Sequence, residues 1–164
     1  MGDEGPRILV LGVGNILFSD EGVGVRVVEE LEQHFRVPGN VTLLDGGTLG
    51  IRLLGPMAES DYLIVVDAIR HGGEPGTIYR LAGPEIPERI RAKNSLHQLD
   101  LLESLTLCSA LGNVPESVIL GVEPEDMETM SLELTPTVRA RVPELVERVC
   151  RELKALDAGV EKLR

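Results

Sequence analysis

Aromatic side chains are nearly absent from this chain: tryptophan is missing, and only two tyrosines and two phenylalanines occur among 164 residues. Hydrophobic residues of all kinds still account for 43% of the sequence, so the core must be built from aliphatic side chains. Short runs of Leu, Val and Ile are typical of strands buried on both faces of a parallel sheet. The shortage of aromatic residues therefore favours an aliphatic sheet covered by helices.

Positive charge is also scarce, with 16 Lys and Arg against 27 Asp and Glu and a formal net charge of −11. Binding to nucleic acid requires clusters of Lys and Arg, so we expect no nucleic acid partner. No apolar stretch approaches the ~20 residues that span a bilayer. The first residues, MGDEGPR, are acidic where a secretion signal would be basic. We expect a cytoplasmic protein with no membrane partner.

The only two cysteines, Cys108 and Cys150, stand at apolar positions of helical patterns, which predicts buried thiols rather than a redox pair. The chain lacks the G-x-S-x-G motif of serine hydrolases and a P-loop. Its GVGNIL segment has Leu17 where a dinucleotide-binding motif requires glycine. These absences argue against nucleotide binding, and they leave a hydrolytic mechanism without a protein nucleophile.

The order of strand and helix patterns predicts an α/β fold in one domain spanning residues 1–164. Alternating strands and helices predict three α/β/α layers, with a five-stranded, mostly parallel, twisted sheet and helices on both faces. The run that begins at Thr77 follows another strand without a helix between them and is expected at an edge. The predicted strands are Ile8–Val13, Val41–Leu44, Tyr62–Val66, Thr77–Leu81 and Val118–Val122. The predicted helices are Val23–Phe35, Leu49–Ala58, Leu96–Leu111 and Val138–Leu156, the last with a kink or a late start at Pro143.

Carboxylates follow each of the three N-terminal strands. The loop after the first strand carries Asp20 and Glu21, the second strand ends in Asp45, and the third ends in Asp67. In an open doubly wound sheet, ligands bind where the strand order reverses, between the first and third of these strands. We therefore expect Glu21 and Asp67 to flank a crevice. Asp20 is most simply interpreted as a helix N-cap.

A histidine adds a third candidate ligand. The segment NSLHQL is typical of a helix start with Ser95 as N-cap, and it places His97 in the first turn. The helix dipole disfavours imidazolium there, so His97 should be neutral and able to bind a metal. Glu21, Asp67 and His97 would together suit Zn²⁺ or Ni²⁺ with coordination positions left for substrate.

A receiver-like signalling module that binds metal is the main alternative. Such modules place acids after the first strand and an Asp after the third, as Asp20, Glu21 and Asp67 are placed. They also carry a lysine after the fifth strand, where this chain reads GVEPED, and their Mg²⁺ prefers oxygen ligands, which leaves His97 without a role.

Five segments taken in order, GVGNILFSDEGVG, LDGGT, VVDAI, SLHQL and GVEPE, resemble the hydrogenase maturation endopeptidases. The resemblance covers nearly the whole chain, including LTPTV before the last helix. It implies a five-stranded sheet between helices and an enzyme, once grouped with aspartic-type endopeptidases, that clips a C-terminal extension from the nickel-loaded [NiFe]-hydrogenase large-subunit precursor.

The resemblance also implies roles for individual residues. Glu21, Asp67 and His97 match the family's metal-binding positions, with nickel as the expected ion, either resident or supplied by the substrate. Asp45 matches an Asp implicated in processing, and we expect it to act beside Glu21 and Asp67 in catalysis, with water as the nucleophile. Substrate is expected to contact the neighbouring glycines and three loop hydrophobes, namely Gly46, Gly47, Ile16, Leu17 and Phe18. Those hydrophobes could equally fold over the edge of the sheet.

Overall fold

The computed structural model describes residues 5–47, 53–83 and 107–163. Its central feature is a five-stranded sheet whose strand order is β3-β1-β4-β6-β5. The sheet strands are β1 (Ile8–Val13), β3 (Val41–Gly47), β4 (Tyr62–Ala68), β5 (Ile78–Ala82) and β6 (Glu116–Val122).

Strand β1 pairs in parallel with β3 on one side and β4 on the other, and β4 pairs in parallel with β6. Strand β5 is antiparallel to β6 and lies at the edge, as predicted for the run that begins at Thr77. The strand order reverses between β1 and β4, so the ends of these two strands are where the sequence predicted a crevice.

The sheet separates two aliphatic cores, which confirms the three-layer α/β/α prediction. One core packs β1, β4 and β6 against two helices, α1 (Val23–His34) and α4 (Val142–Ala155). The other core includes Met57 of α2 (Leu54–Ala58) and Leu53, which directly precedes that helix. Cys108, one of the helical residues 107–110, packs in the same core. Alternate side chains of each strand enter opposite cores, as the period of two requires.

The last predicted helix is interrupted, because Pro143 cannot donate a backbone hydrogen bond within a helix. A short helix, α3 (Pro136–Arg139), ends before it, and α4 begins at Val142 with the proline in its first turn. The late start is therefore confirmed. The predicted helices Leu49–Ala58 and Leu96–Leu111 lie partly outside the described residues, within which helix is present at 54–58 and 107–110.

Two features of the structure were not predicted from the sequence. A 3-10 helix, Ser19–Gly22, precedes α1. Two short antiparallel strands, β2 (Phe35–Arg36) and β7 (Glu161–Lys162), join the end of α1 to the C-terminal residues. Among the described residues, no helix is long and apolar enough to cross a bilayer.

Candidate active site

The carboxyl ends of β1, β3 and β4 meet at one edge of the sheet, because the three strands are parallel neighbours. Asp45 belongs to β3, where it pairs with Gly12, and Asp67 follows Val66, which pairs with the same glycine from the other side. Two of the predicted carboxylates therefore lie on opposite sides of the end of β1.

The loop after β1 brings Glu21 back against the end of the same strand. A Cβ atom on Gly14 would lie 1.8 Å from the Glu21 carbonyl oxygen, and Gly14 has a φ of +123°. Only glycine tolerates both conditions. The glycine at this position therefore lets the 3-10 helix fold over the strand end with Glu21 half-buried there.

The start of α1 lies against the same strand ends. A Cβ on Gly24 would be 2.1 Å from the Val66 carbonyl oxygen and 2.8 Å from that of Val13. This close approach sets the 3-10 helix in contact with β4. Gly14 and Gly24 together thus set how the 3-10 helix that carries Glu21 lies against the ends of β1 and β4.

Asp67 is only 1% exposed, and its Oδ1 accepts a 2.8 Å hydrogen bond from the Ala68 backbone N–H. Glu21 and Asp67 are brought to the adjoining ends of β1 and β4, as expected. His97 lies outside the described residues. Within 5–47, 53–83 and 107–163, no group of three His, Cys, Asp or Glu side chains is suitably arranged to hold a metal ion.

Asp45 is exposed at the end of β3. Its Oδ1 accepts a 3.0 Å hydrogen bond from the Gly47 N–H, and the Gly47 carbonyl accepts one from Gly14 N–H at 2.9 Å. Gly47 has a φ of +50°, and a Cβ there would approach only Asp45 Oδ1, at 3.8 Å, among the described residues. Gly46, in contrast, is buried, and a Cβ there would lie 2.7 Å from Leu11 Cδ1. Packing explains the glycine at position 46, whereas the space beside Gly47 is open in the part of the chain that the structure describes.

Asp20 does not cap a helix, so that interpretation of the sequence was wrong. The N-cap of α1 is Gly22, which has no side chain to accept the capping hydrogen bond. The fully buried Asp20 carboxylate instead accepts hydrogen bonds from three backbone N–H groups and from the Thr135 hydroxyl, at 2.8 to 3.0 Å. The N–H donors belong to Glu125, Asp126 and Thr135, which are more than 100 residues away in sequence. Asp20 therefore ties the loop after β1 to the segment after β6.

The three loop hydrophobes differ in exposure. Leu17 is 48% exposed, whereas Ile16 and Phe18 are half-buried. A Cβ on Gly22 would lie 3.2 Å from Ile16 Cγ2, which shows the direction in which Ile16 packs. Leu17 alone among the three is directed mainly to solvent.

Glu123 was not assigned a role from the sequence, although it follows an apolar strand just as Asp67 does. It is 5% exposed, and its Oε1 accepts hydrogen bonds from the backbone N–H groups of His71 and Gly73 and from the Tyr79 hydroxyl. Burial, together with this carboxylate, raises the pKa of Tyr79 to about 12. Glu123 thus fastens the loop between β4 and β5, which begins just after Asp67.

Neither cysteine has the properties of a nucleophile. Burial raises the pKa of both thiols, and the nearby Glu147 raises that of Cys150 further. A thiol with a raised pKa is protonated at neutral pH and is a poor nucleophile. The structure confirms Cys108 as a buried thiol, whereas Cys150 is only half-buried against the other core.

This chain is similar to known proteins along most of its length. The family profile HycI, described as hydrogenase maturation protease, matches residues 25–152. The Hydrogenase 2 maturation protease of Escherichia coli K12 is 46% identical over 96% of this chain and 95% of its own length. The hydrogenase expression/formation protein HupD of Bradyrhizobium diazoefficiens is 45% identical over 90% of this chain and 78% of its own.

Solved structures show the same fold. The hydrogenase maturating endopeptidase HybD from Escherichia coli superposes with a TM-score of 0.91 at 44% identity, over 95% of this chain and 97% of its own. The [NiFe] hydrogenase maturation protease HybD from Thermococcus kodakarensis superposes with a TM-score of 0.75 at 26% identity, over 89% of this chain and 98% of its own. With its sequence matched along most of its length and its α/β sheet shared, the chain belongs to the hydrogenase maturation protease family.

Proposed function

We propose that this protein is a cytoplasmic endopeptidase that removes the C-terminal extension of a nickel-loaded [NiFe]-hydrogenase large-subunit precursor. The observation that carries the proposal is the placement of Glu21 and the buried Asp67 at the adjoining ends of β1 and β4, in a chain of this family. The receiver-like alternative loses its support, because the relatives along nearly the full chain are maturation proteases.

The donor set fits a divalent metal. Two carboxylates held at adjoining strand ends repel each other, and a bound divalent cation would offset that repulsion. Glu21 and Asp67 would bind the ion together with His97, and a mixed oxygen and nitrogen set suits nickel or zinc. A divalent ion bound there would polarise the scissile carbonyl and increase the acidity of the attacking water. Nickel already inserted in the precursor is part of the substrate.

Asp45 is the residue that we assign to proton transfer. Because its Oδ1 is occupied by the Gly47 N–H, the proton taken from water would go to Oδ2 of this exposed carboxylate. Among the described residues the space beside Gly47 is open, and the extended precursor segment would approach this end of the sheet there. Leu17, the exposed member of the three loop hydrophobes, would supply an apolar contact to the precursor, whereas Ile16 and Phe18 are half-buried.

The test is cleavage of the nickel-loaded precursor by Glu21→Gln, Asp67→Asn and His97→Ala variants, followed by mass spectrometry. We expect each change to slow cleavage by at least about 100-fold, since a lost metal ligand costs more than a lost supporting contact. Nickel binding, measured by calorimetry without precursor, should weaken in parallel. Circular dichroism should show the wild-type fold, because the first two substitutions preserve side-chain volume.

Glu59→Gln is the matched control, since this exposed acid lies before β4, at the opposite edge of the sheet. It should leave cleavage and nickel binding unchanged. Wild-type cleavage rates in all three site variants would refute the assignment of this site.

A further inference from the structure

Three large apolar side chains are exposed at one place beside the candidate site. Leu17 is 48% exposed, Met130 73% and Leu132 58%, and these are half of the six exposed large hydrophobes among the described residues. The Ser131 N–H donates a 2.8 Å hydrogen bond to the Leu17 carbonyl, so Met130 and Leu132, which flank Ser131, lie next to Leu17. We call these three residues the apolar platform.

The platform is fixed by hydrogen bonds between the loop after β1 and the segment after β6. The Ser19 N–H donates to the Ser131 carbonyl at 2.8 Å, and the Ser19 hydroxyl donates to the Glu133 carbonyl at 2.9 Å. Ser19 adopts a φ of 52°, unusual for a residue other than glycine, and these bonds offset that cost. The buried Asp20 carboxylate secures the same two segments. Met130 and Leu132 therefore remain in water because the backbone holds them there.

The platform is continuous with the candidate active site through a very short stretch of chain. Leu17 and Glu21 belong to the same loop, and the 3-10 helix that contains Glu21 lies against β4. A macromolecule seated on the platform would therefore have its neighbouring segment at the end of β1, between Asp45 and Asp67.

Acidic side chains outnumber basic ones around the platform, where the Arg26 guanidinium donates a 2.8 Å hydrogen bond to the Leu132 carbonyl and Arg139 pairs with Glu133 at 3.8 Å. Glu125, Glu128 and Glu133 are exposed in the same segment. Hydrogen bonds from the Thr129 side chain and backbone lower the pKa of Asp126, so this carboxylate is ionised as well. An apolar surface with an acidic rim is complementary to apolar side chains flanked by Lys or Arg.

We propose that the apolar platform is the docking surface for the hydrogenase large-subunit precursor, which binds it through an apolar segment flanked by basic residues. This inference rests on the proposed function and adds to it the surface that holds the substrate outside the reacting centre. Remote contacts of this kind hold the scissile bond in position and set the affinity for the precursor.

The experiment compares Met130→Ser and Leu132→Ser with Leu111→Ser. Leu111 is 64% exposed, and it lies near the opposite edge of the sheet, where the Asn113 amide donates to the Ser60 carbonyl at 3.0 Å. Binding of the nickel-loaded precursor is measured by biolayer interferometry, and cleavage is measured at low and saturating precursor. We expect Met130→Ser to weaken binding about tenfold or more, the loss typical of an interface anchor. KM should rise with little change in kcat, and Leu111→Ser should behave as wild type.

Reversal of a single charge tests the acidic residues around the platform separately. Glu128→Lys should weaken binding, mainly by slowing association, whereas Glu59→Lys at the opposite edge should not. None of these residues is buried, so the serine variants should unfold at the wild-type temperature. The two lysine variants, in which the net negative charge falls by two, should be at least as stable as wild type.

Failure of the docking surface can be distinguished from failure of the proposed function. Wild-type binding and KM in Met130→Ser and Leu132→Ser, with active wild-type enzyme, would overturn the docking surface and leave the proposed function standing. Absence of cleavage by the wild-type protein would overturn both. Light scattering adds a further outcome: if the chain forms dimers that Met130→Ser dissociates, the platform joins two copies and the precursor assignment is wrong.

Discussion

At the scale of single residues, the Tyr79 hydroxyl reports on the clamp that Glu123 forms. The pKa of Tyr79 is raised from 10.0 to about 12, first by burial and then by the Glu123 carboxylate. Because the folded protein releases this proton later than the unfolded chain does, the resulting stability is present below pH 10. It is lost as the pH rises from about 10 to about 12.

The clamp is tested by titrating the phenolate absorbance in wild type and Glu123→Gln. The protein has two tyrosines and no tryptophan, so Tyr62→Phe leaves Tyr79 as the only chromophore. We expect the Tyr79 pKa to fall below that of wild type in Glu123→Gln, because the charge is removed, and to stay above 10, because burial is unchanged. The amide oxygen can keep the three hydrogen bonds that Oε1 accepts. Cleavage should survive in Glu123→Gln and decline in Glu123→Ala, in which the loop after Asp67 is released. An unchanged Tyr79 pKa would contradict the assignment.

Sequence reasoning located carboxylates more reliably than it assigned their roles. The strand ends placed Asp45 and Asp67 at one edge, because an apolar run followed by an acid marks the end of a buried strand. The sequence could not distinguish a capping Asp20 from a buried one. The backbone N–H groups of residues 125, 126 and 135, which donate hydrogen bonds to Asp20, are brought near this carboxylate only by folding. The same signal that singled out Asp67 was present at Glu123, where the structure shows a carboxylate that holds the loop between β4 and β5.

At the scale of elements, the contact between α1 and the sheet decides where Glu21 lies. Gly24→Ala would place a methyl group 2.1 Å from the Val66 carbonyl oxygen. This distance is too short for a van der Waals contact, so α1 or the backbone of β4 would have to move. We expect a loss of unfolding free energy of about 3 kcal/mol, measured by urea denaturation. Cleavage should fall as well, because the displacement of α1 carries Glu21 away from Asp67.

Gly55→Ala provides the control within another helix. Gly55 lies in α2, and among the described residues no atom comes within 4 Å of the position that its methyl group would take. Alanine should therefore stabilise the protein by about 0.5–1 kcal/mol. Equal effects of the two substitutions would show that helix propensity, not the close approach to β4, governs position 24.

All five strands of the main sheet were predicted, with ends that lie within three residues of those in the structure. Strand β1 matches at both ends, and β3 and β4 extend past their predicted ends into the acids and glycines of the site. Those extensions could not be predicted from local composition, because Asp and Gly are depleted from strands in general. Strands β3 and β4 continue through these residues because the residues pair with neighbouring strands, as Asp45 pairs with Gly12. The β2 and β7 pair was missed for a related reason: two residues carry no periodic signal.

At the scale of the whole molecule, the charge of −11 acts on folding and on docking in opposite ways. Ion pairs such as Arg151–Glu147 and Arg7–Asp61 have largely exposed side chains and contribute little. General repulsion among 27 acidic residues therefore remains as the main long-range term in the folded state. Salt screens that repulsion, and it equally screens attraction to a basic partner.

Raising NaCl from ~20 mM to ~500 mM at pH 7 should therefore raise the thermal midpoint of the free protein while weakening its binding to the precursor. The Debye length falls from about 20 Å to about 4 Å over this range, which removes repulsion across the surface but not the close contacts of Asp20. Differential scanning calorimetry and biolayer interferometry in the same buffers give the two trends. Met130→Ser should keep the salt slope of wild type at lower affinity, because it removes an apolar anchor, whereas Glu128→Lys should flatten the slope. A thermal midpoint that falls with salt would show that ion pairs outweigh the net charge.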